Sequence, residues 1–194
     1  PVDGSGRSLS ETSPIDIGNE SRGPYVWAKA QAEQLAVIES SKLGISVRTL
    51  RLGPLVDYKA FSAPGRLGRE VGPLFVAMGS QSSELPVCDV DTAASVIRFA
   101  VDRFDDSPPL VNLVEAPAPT RRALLERQRV ARPDLKVVPM PFWMLRFIGW
   151  TLKASRMLSR RKGPTLDLYS AFASERYDTD LAARMIEAAK RADG

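Results

Sequence analysis

Good helix formers run from Tyr25 to about Leu43, stop at Gly44 and pass at once into Ile45-Ser46-Val47-Arg48-Thr49-Leu50-Arg51-Leu52. That second stretch is β-branched and roughly alternating, and it breaks at Gly53-Pro54. A helix, a glycine able to take the left-handed stop, and a strand ending in a turn leave few packing solutions. The strand must join a sheet and the helix must lie on it. The alternation continues downstream. Asp91 is placed to cap a helix from Thr92 to about Asp102, with Ala94, Ile97, Ala100 and Val101 at core-facing spacing, and Pro108-Pro109 ends it. Leu110-Val111-Asn112-Leu113-Val114 reads as a short buried strand, Thr120 as the N-cap of a helix to Ala131, and Lys136-Val137-Val138 as another strand. Pro141 fits the first turn of a helix reaching about Ser159, closed by Arg160-Arg161-Lys162-Gly163-Pro164, and Asp178 or Thr179 opens a last helix through Ala189.

Two stretches fall outside this rhythm. Residues 1–24 are rich in Gly, Ser, Pro and Asp without an apolar period, which predicts an irregular surface approach. Residues 63–79 mix Gly65, Gly68, Gly72, Pro64 and Pro73 with Leu74-Phe75-Val76, which predicts a broken helix inside a long connection. The class is therefore α/β, with helices packed on a sheet and a more helical C-terminal portion.

Composition narrows the chemistry. The chain has 194 residues, 44% of them hydrophobic, enough for a core in one domain or one and a fraction. It has no histidine and one cysteine, Cys88, which excludes His-ligated metals, Ser-His and Cys-His catalysis and an intrachain disulfide framework. Acid-base work then falls to Tyr, Lys, Asp, Glu or Cys. A net charge of +4 and a pI near 9.4 are a mild tilt, and with no recognition motif they predict no nucleic-acid partner. No run of 18 apolar residues occurs, and Pro1-Val2-Asp3-Gly4-Ser5-Gly6-Arg7 holds neither an apolar targeting segment nor an initiating Met, which reads as an internal start. No G-x-G-x-x-G follows a strand and no Walker pattern occurs, so a dinucleotide would need another segment to hold its phosphates.

Tyr25-Val26-Trp27-Ala28-Lys29 sets a phenol and an ammonium four residues apart on one helix face. A phenol of ordinary pKa, about 10, is a poor base at neutral pH, and a neighbouring cation favours its ionised form. A phenol so placed can exchange a proton with a substrate hydroxyl or carbonyl. By itself the pair arises by chance in about one chain in seven of this Tyr and Lys content.

The pair sits in an ordered series: Glu11-Thr12-Ser13-Pro14 before it, then Ala32-Glu33, Arg51-Leu52-Gly53-Pro54-Leu55-Val56, Val87-Cys88-Asp89-Val90-Asp91-Thr92-Ala93-Ala94, Asn112-Leu113 and Pro119-Thr120. That series resembles the C-terminal half of an extended short-chain dehydrogenase/reductase, the NAD(P)-dependent epimerase/dehydratase type, over roughly residues 9–125. Tyr177-Asp178-Thr179 resembles the family's late "Y-x-x-D" stretch. The resemblance implies the C-terminal part of a Rossmann-like doubly wound parallel sheet over residues 1–62. Residues 63–194 would then form a smaller, mostly helical substrate-binding portion, one strand of which returns to the main sheet.

The resemblance also implies roles. Tyr25 would be the general acid/base, and Lys29 would assist it and hold the nicotinamide ribose of NAD or NADP. Gly53, Pro54, Leu55 and Val56 would line the nicotinamide end of the cofactor, although Leu52 replaces the family's Pro and Asp57-Tyr58 its Tyr-Gly. The family's upstream Ser or Thr is assigned to no residue here. The substrate would be a nucleotide-sugar-like or related alcohol or ketone, the parent enzyme cytoplasmic, and a homodimer would form through the helix at 25–43. The 194 residues alone would be inactive.

Other residues keep two readings. Asp91 reads first as a helix cap and second as a ligand contact. Arg66 and Arg69 lie in the connection where the resembled enzymes contact substrate, and guanidinium forks suit a diphosphate; the alternative is solvated surface. Cys88, flanked by Val87 and Asp89, reads as a buried inert thiol. Phe142-Trp143-Met144-Leu145-Arg146-Phe147-Ile148-Gly149-Trp150 is followed by Lys153, Arg156, Arg160, Arg161 and Lys162. That stretch, 142–162, reads either as core or lid packing over the substrate pocket or as a peripheral contact with a membrane or partner. The second contact fits a non-catalytic, dehydrogenase-like accessory scaffold.

Overall fold

The computed structural model describes residues 8–14, 23–141, 143–144, 147–151 and 175–193. In chain order the elements are α1 (Pro24–Leu43), β1 (Thr49–Leu52), β2 (Leu55–Val56), β3 (Gly68–Val71), β4 (Leu74–Met78), β5 (Cys88–Asp89), α2 (Val90–Asp102), β6 (Leu110–Leu113), α3 (Arg121–Ala131), β7 (Lys136–Met140) and α4 (Asp180–Asp193). The class is α/β. β1 pairs in parallel with β6, β2 in parallel with β5, and β4 lies between antiparallel β3 and parallel β7.

α1 starts on Pro24, whose fixed φ and missing N–H suit a first helical position. It ends at Gly44, which takes φ 66° and ψ 25° and whose N–H bonds the Ser40 carbonyl. β1 is shorter than the predicted 45–52. Its partner β6 begins only after Pro108-Pro109, so Ile45 to Arg48 have no ladder to join, and Arg48 instead bonds the Phe104 carbonyl and lies 4.4 Å over the Phe104 ring.

The broken helix expected over 63–79 is a β-hairpin. Gly72-Pro73 is a two-residue turn between Val71 and Leu74, which face each other across the ladder, and Gly72 takes φ 58° as such a turn demands. Leu74 to Met78 alternate with Phe75 and Ala77 buried, a period of two that the surrounding glycines and prolines obscure. Residues 68–78 thus build the sheet β3-β4-β7 with Lys136–Met140 in place of the expected broken helix.

The cap of α2 also moves. Asp89, not Asp91, accepts from the Thr92 N–H (3.1 Å) and hydroxyl (3.2 Å), and Asp91 pairs with Lys59 on the surface. The buried face of α2 is accordingly Ala93, Val96 and Ala100; of the expected Ala94, Ile97, Ala100 and Val101 only Ala100 points inward. Thr120 caps α3 as predicted, and α4 runs past Ala189 to Asp193. Most of the predicted 141–159 helix lies outside the described residues; 143–144 and 147–151 are helical.

Two cores result. Phe75 and Ala77 of β4 meet Leu124 and Leu125 of α3 together with Leu67, Leu85 and Val87. Val111 and Leu113 of β6 meet Ala93, Val96 and Ala100 of α2 and Ala182, Met185 and Ala189 of α4. Beneath the first core, Arg121 is fully buried and donates to the Arg66 and Met78 carbonyls, tying α3 to the hairpin. Burial, and then the neighbouring Arg66 charge, hold its guanidinium down to about 10.

Candidate active site

α1 has no buried residue along its twenty positions and no apolar stripe; Tyr25, Val26, Trp27, Leu35, Val37 and Ile38 are all exposed. A side-chain clamp nevertheless fixes how it sits. Arg51 of β1 grips Glu33 with Nη2 at 2.7 Å and Nε at 3.0 and 3.1 Å, and its Nη1 reaches Asn112 Oδ1 of β6 at 3.4 Å. Asn112 in turn gives its backbone N–H to Glu11 Oε1 at 2.9 Å. The clamp joins the helix, both strands of the parallel pair and the N-terminal segment.

Glu33 lies ten residues, about 15 Å, before the end of α1, so the chain leaving Gly44 must run back along the helix for Arg51 to reach it. Beyond Arg51 the strand ends at Leu52 and leads into Gly53-Pro54, while Lys29 and Tyr25 lie about 6 and 12 Å before Glu33 along α1. At 100° per residue, Tyr25, Lys29 and Glu33 fall within an arc of about 80°. The stripe that Glu33 turns to β1 is therefore the stripe that carries the phenol and the ammonium. Both heads are open: Tyr25 is 73% exposed, and Lys29 Nζ lies 5.7 Å from the centre of its ring.

The ends of the parallel strands are stitched together. Gly53 N–H bonds the Leu113 carbonyl, Cys88 N–H the Pro54 carbonyl and Glu115 N–H the Val87 carbonyl. The carboxyl ends of β1, β2, β5 and β6 thus gather Gly53-Pro54, Tyr58, the start of α2 and Glu115 in one region. Sequence reasoning missed Glu115 and the role of Tyr58; the one available signal was their place just after strand ends. The Tyr58 hydroxyl donates to Glu115 Oε2 at 2.9 Å, and the Arg127 guanidinium lies 4.5 Å over the Tyr58 ring. Burial, then the bond and charge of Glu115, push the Tyr58 phenol well above its usual range. Burial likewise raises the Glu115 carboxyl despite the hydrogen bond from Tyr58. The Cys88 thiol is buried and pushed up to about 12, chiefly by that burial, which makes it inert as expected. Of the two phenols Tyr25 and Tyr58, the second is committed as a donor and the first is open to solvent.

The residues expected to line a cofactor divide. Pro54 is half-buried and Leu55 exposed, but Val56 points inward at 1% exposure, packed with Leu67 and Phe75. Alternation along β2 makes this unavoidable, so the Val56 side chain is not a ligand contact. A Cβ on Gly53 would come within 3.1 Å of the Val87 backbone and of Val114 Cγ1, so this glycine serves packing at the strand end rather than an open cradle. Arg66 lies 4.0 Å from the buried Glu175 carboxylate, whereas Arg69 is exposed on β3 opposite Val76. Among the described residues no group of three or more His, Cys, Asp or Glu could hold a metal.

No family model, curated protein or solved structure matches the chain.

Proposed function

We propose that the chain is the substrate-side part of an NAD(P)-dependent oxidoreductase, epimerase or dehydratase of the extended short-chain type. Its substrate would be a nucleotide-sugar-like or related alcohol or ketone, and its sheets the C-terminal part of a Rossmann-like arrangement. The observation that supports this reading is the Arg51–Glu33 clamp, which ties to β1 the helix face that also carries Tyr25 and Lys29. The Tyr25 hydroxyl exchanges a proton with the substrate oxygen, and the Lys29 ammonium holds its cationic charge beside the phenol and donates to a ribose hydroxyl. Both groups fit a nicotinamide nucleotide, being open and adjacent; Gly53, Pro54 and Leu55 border it through backbone and one exposed side chain, without Val56. The nicotinamide, when bound, accepts or gives the hydride. Arg66 and Arg69 are assigned to the substrate, and exposed Arg69 is the freer to reach a diphosphate. The exposed Val26, Leu35, Val37 and Ile38 support pairing with a second copy through α1, and the parent enzyme belongs to the cytoplasm.

The test is Tyr25→Phe in the enzyme that joins this chain to a Gly-rich nucleotide-binding turn. Turnover falls by about a hundredfold or more while KM changes little; turnover within twofold of the parent refutes the assignment. The 194 residues alone, lacking a G-x-G-x-x-G turn, retain no NAD(P), and saturable binding of NADH in a fluorescence titration would overturn that division of labour.

A further inference from the structure

Trp143, Phe147 and Trp150 are 68%, 60% and 65% exposed. Phe147 and Trp150 lie about one turn apart on the helical 147–151, with ring centroids 6.2 Å apart. None of the three enters either core. Packing as a lid therefore does not account for them, and three rings this open within eight residues form an apolar edge of the kind that marks a docking surface.

Charge names the occupant. Between Asp134 and Asp167 the sequence has no acidic residue, yet it holds Lys136, Arg146, Lys153, Arg156, Arg160, Arg161 and Lys162. Those seven cations exceed the net charge of the whole chain and leave the remainder at −3. This basic stretch without an acidic residue is the one that bears the exposed rings. Indole rings favour the boundary between water and hydrocarbon, and Lys and Arg in the same stretch are drawn to anionic headgroups. No helix among the described residues is long and apolar enough to cross a membrane, so the contact is with a surface.

We infer that Trp143, Phe147 and Trp150 dock the protein onto an anionic lipid surface, with the neighbouring cations drawing it there. The inference does not depend on the chemistry proposed for Tyr25. The experiment is co-sedimentation with vesicles of phosphatidylcholine alone and of phosphatidylcholine mixed with phosphatidylglycerol. The protein pellets with the mixed vesicles at low salt, hardly with the neutral ones, and binding weakens as salt is added. Replacing Trp143, Phe147 and Trp150 together by Ala lowers partitioning by about tenfold or more. The circular dichroism spectrum should not change, because the three rings lie outside both cores. Lys153→Gln with Arg156→Gln gives a second arm that leaves the aromatic edge intact and weakens only the preference for phosphatidylglycerol. Absence of pelleting with mixed vesicles at low salt overturns the inference. So does pelleting indifferent to the triple substitution, or self-association abolished by that substitution without vesicle binding, which would make the occupant a second copy of the chain.

Discussion

Removing the Glu33 carboxylate tests the clamp on which the orientation of α1 rests. In Glu33→Ala, Arg51 loses a bidentate, charge-assisted grip made through side chains that are 25% and 19% exposed. Hydrogen bonds to charged groups contribute about 1.5–3 kcal/mol when well shielded, and the partial exposure of this pair argues for the middle of that range, about 2 kcal/mol. α1 buries none of its own side chains, so the loss falls on the attachment of the helix rather than on either core. Ala is the best helix former, so intrinsic propensity works against the expected loosening and cannot imitate it. Native-state hydrogen exchange should show α1 amides exchanging about 30-fold faster, the equivalent of about 2 kcal/mol in a local opening equilibrium, with α2, β6 and α4 unchanged. A uniform change across the molecule, or no change in α1, refutes the claim that this pair sets the register of helix on strand.

Asp89→Ala removes the cap of α2 and should cost about 1 kcal/mol in urea denaturation, while Asp91→Ala leaves the midpoint unchanged; the reverse order would restore Asp91 as the cap. Glu115 has its carboxyl raised by burial, so the folded protein holds that proton more tightly than the unfolded chain and stability falls as pH rises through the carboxyl range. Glu115→Gln should therefore melt higher than the parent at neutral pH, with the gap closing as the solution is acidified; a gap that widens on acidification contradicts the burial. Cys88, with its thiol pushed up to about 12, should resist a thiol-specific reagent at mildly alkaline pH in the native state and react fully in urea, as rapid native labelling would disprove.

Local signals account for much of the fold. Pro24 and Gly44 bound α1 because one lacks an N–H and the other tolerates the left-handed conformation, and Thr120 caps α3 because its oxygen is three residues from an orphan donor. Where two local signals competed, sequence reasoning chose wrongly. Asp89 and Asp91 are equally good caps by type, and only the pairing of β5 with β2, which holds Asp89 in extended conformation, selects the first. Gly72-Pro73 breaks a helix and turns a hairpin equally well, and the decision comes from the ladder that Leu74 to Met78 make with β7, more than fifty residues away.

For the candidate site, residue type and a spacing of four were enough to put a phenol and an ammonium on one face of a helix, because helical geometry is local. Which way that face looks depends on Arg51 meeting Glu33 across eighteen residues, and the commitment of Tyr58 to Glu115 depends on two strand ends converging across fifty-seven. Such meetings follow from chain-wide packing, where burial and strand register outweigh the preferences of any single segment. They reach the sequence only as ordinary charged and aromatic residues after strands, indistinguishable there from solvated ones.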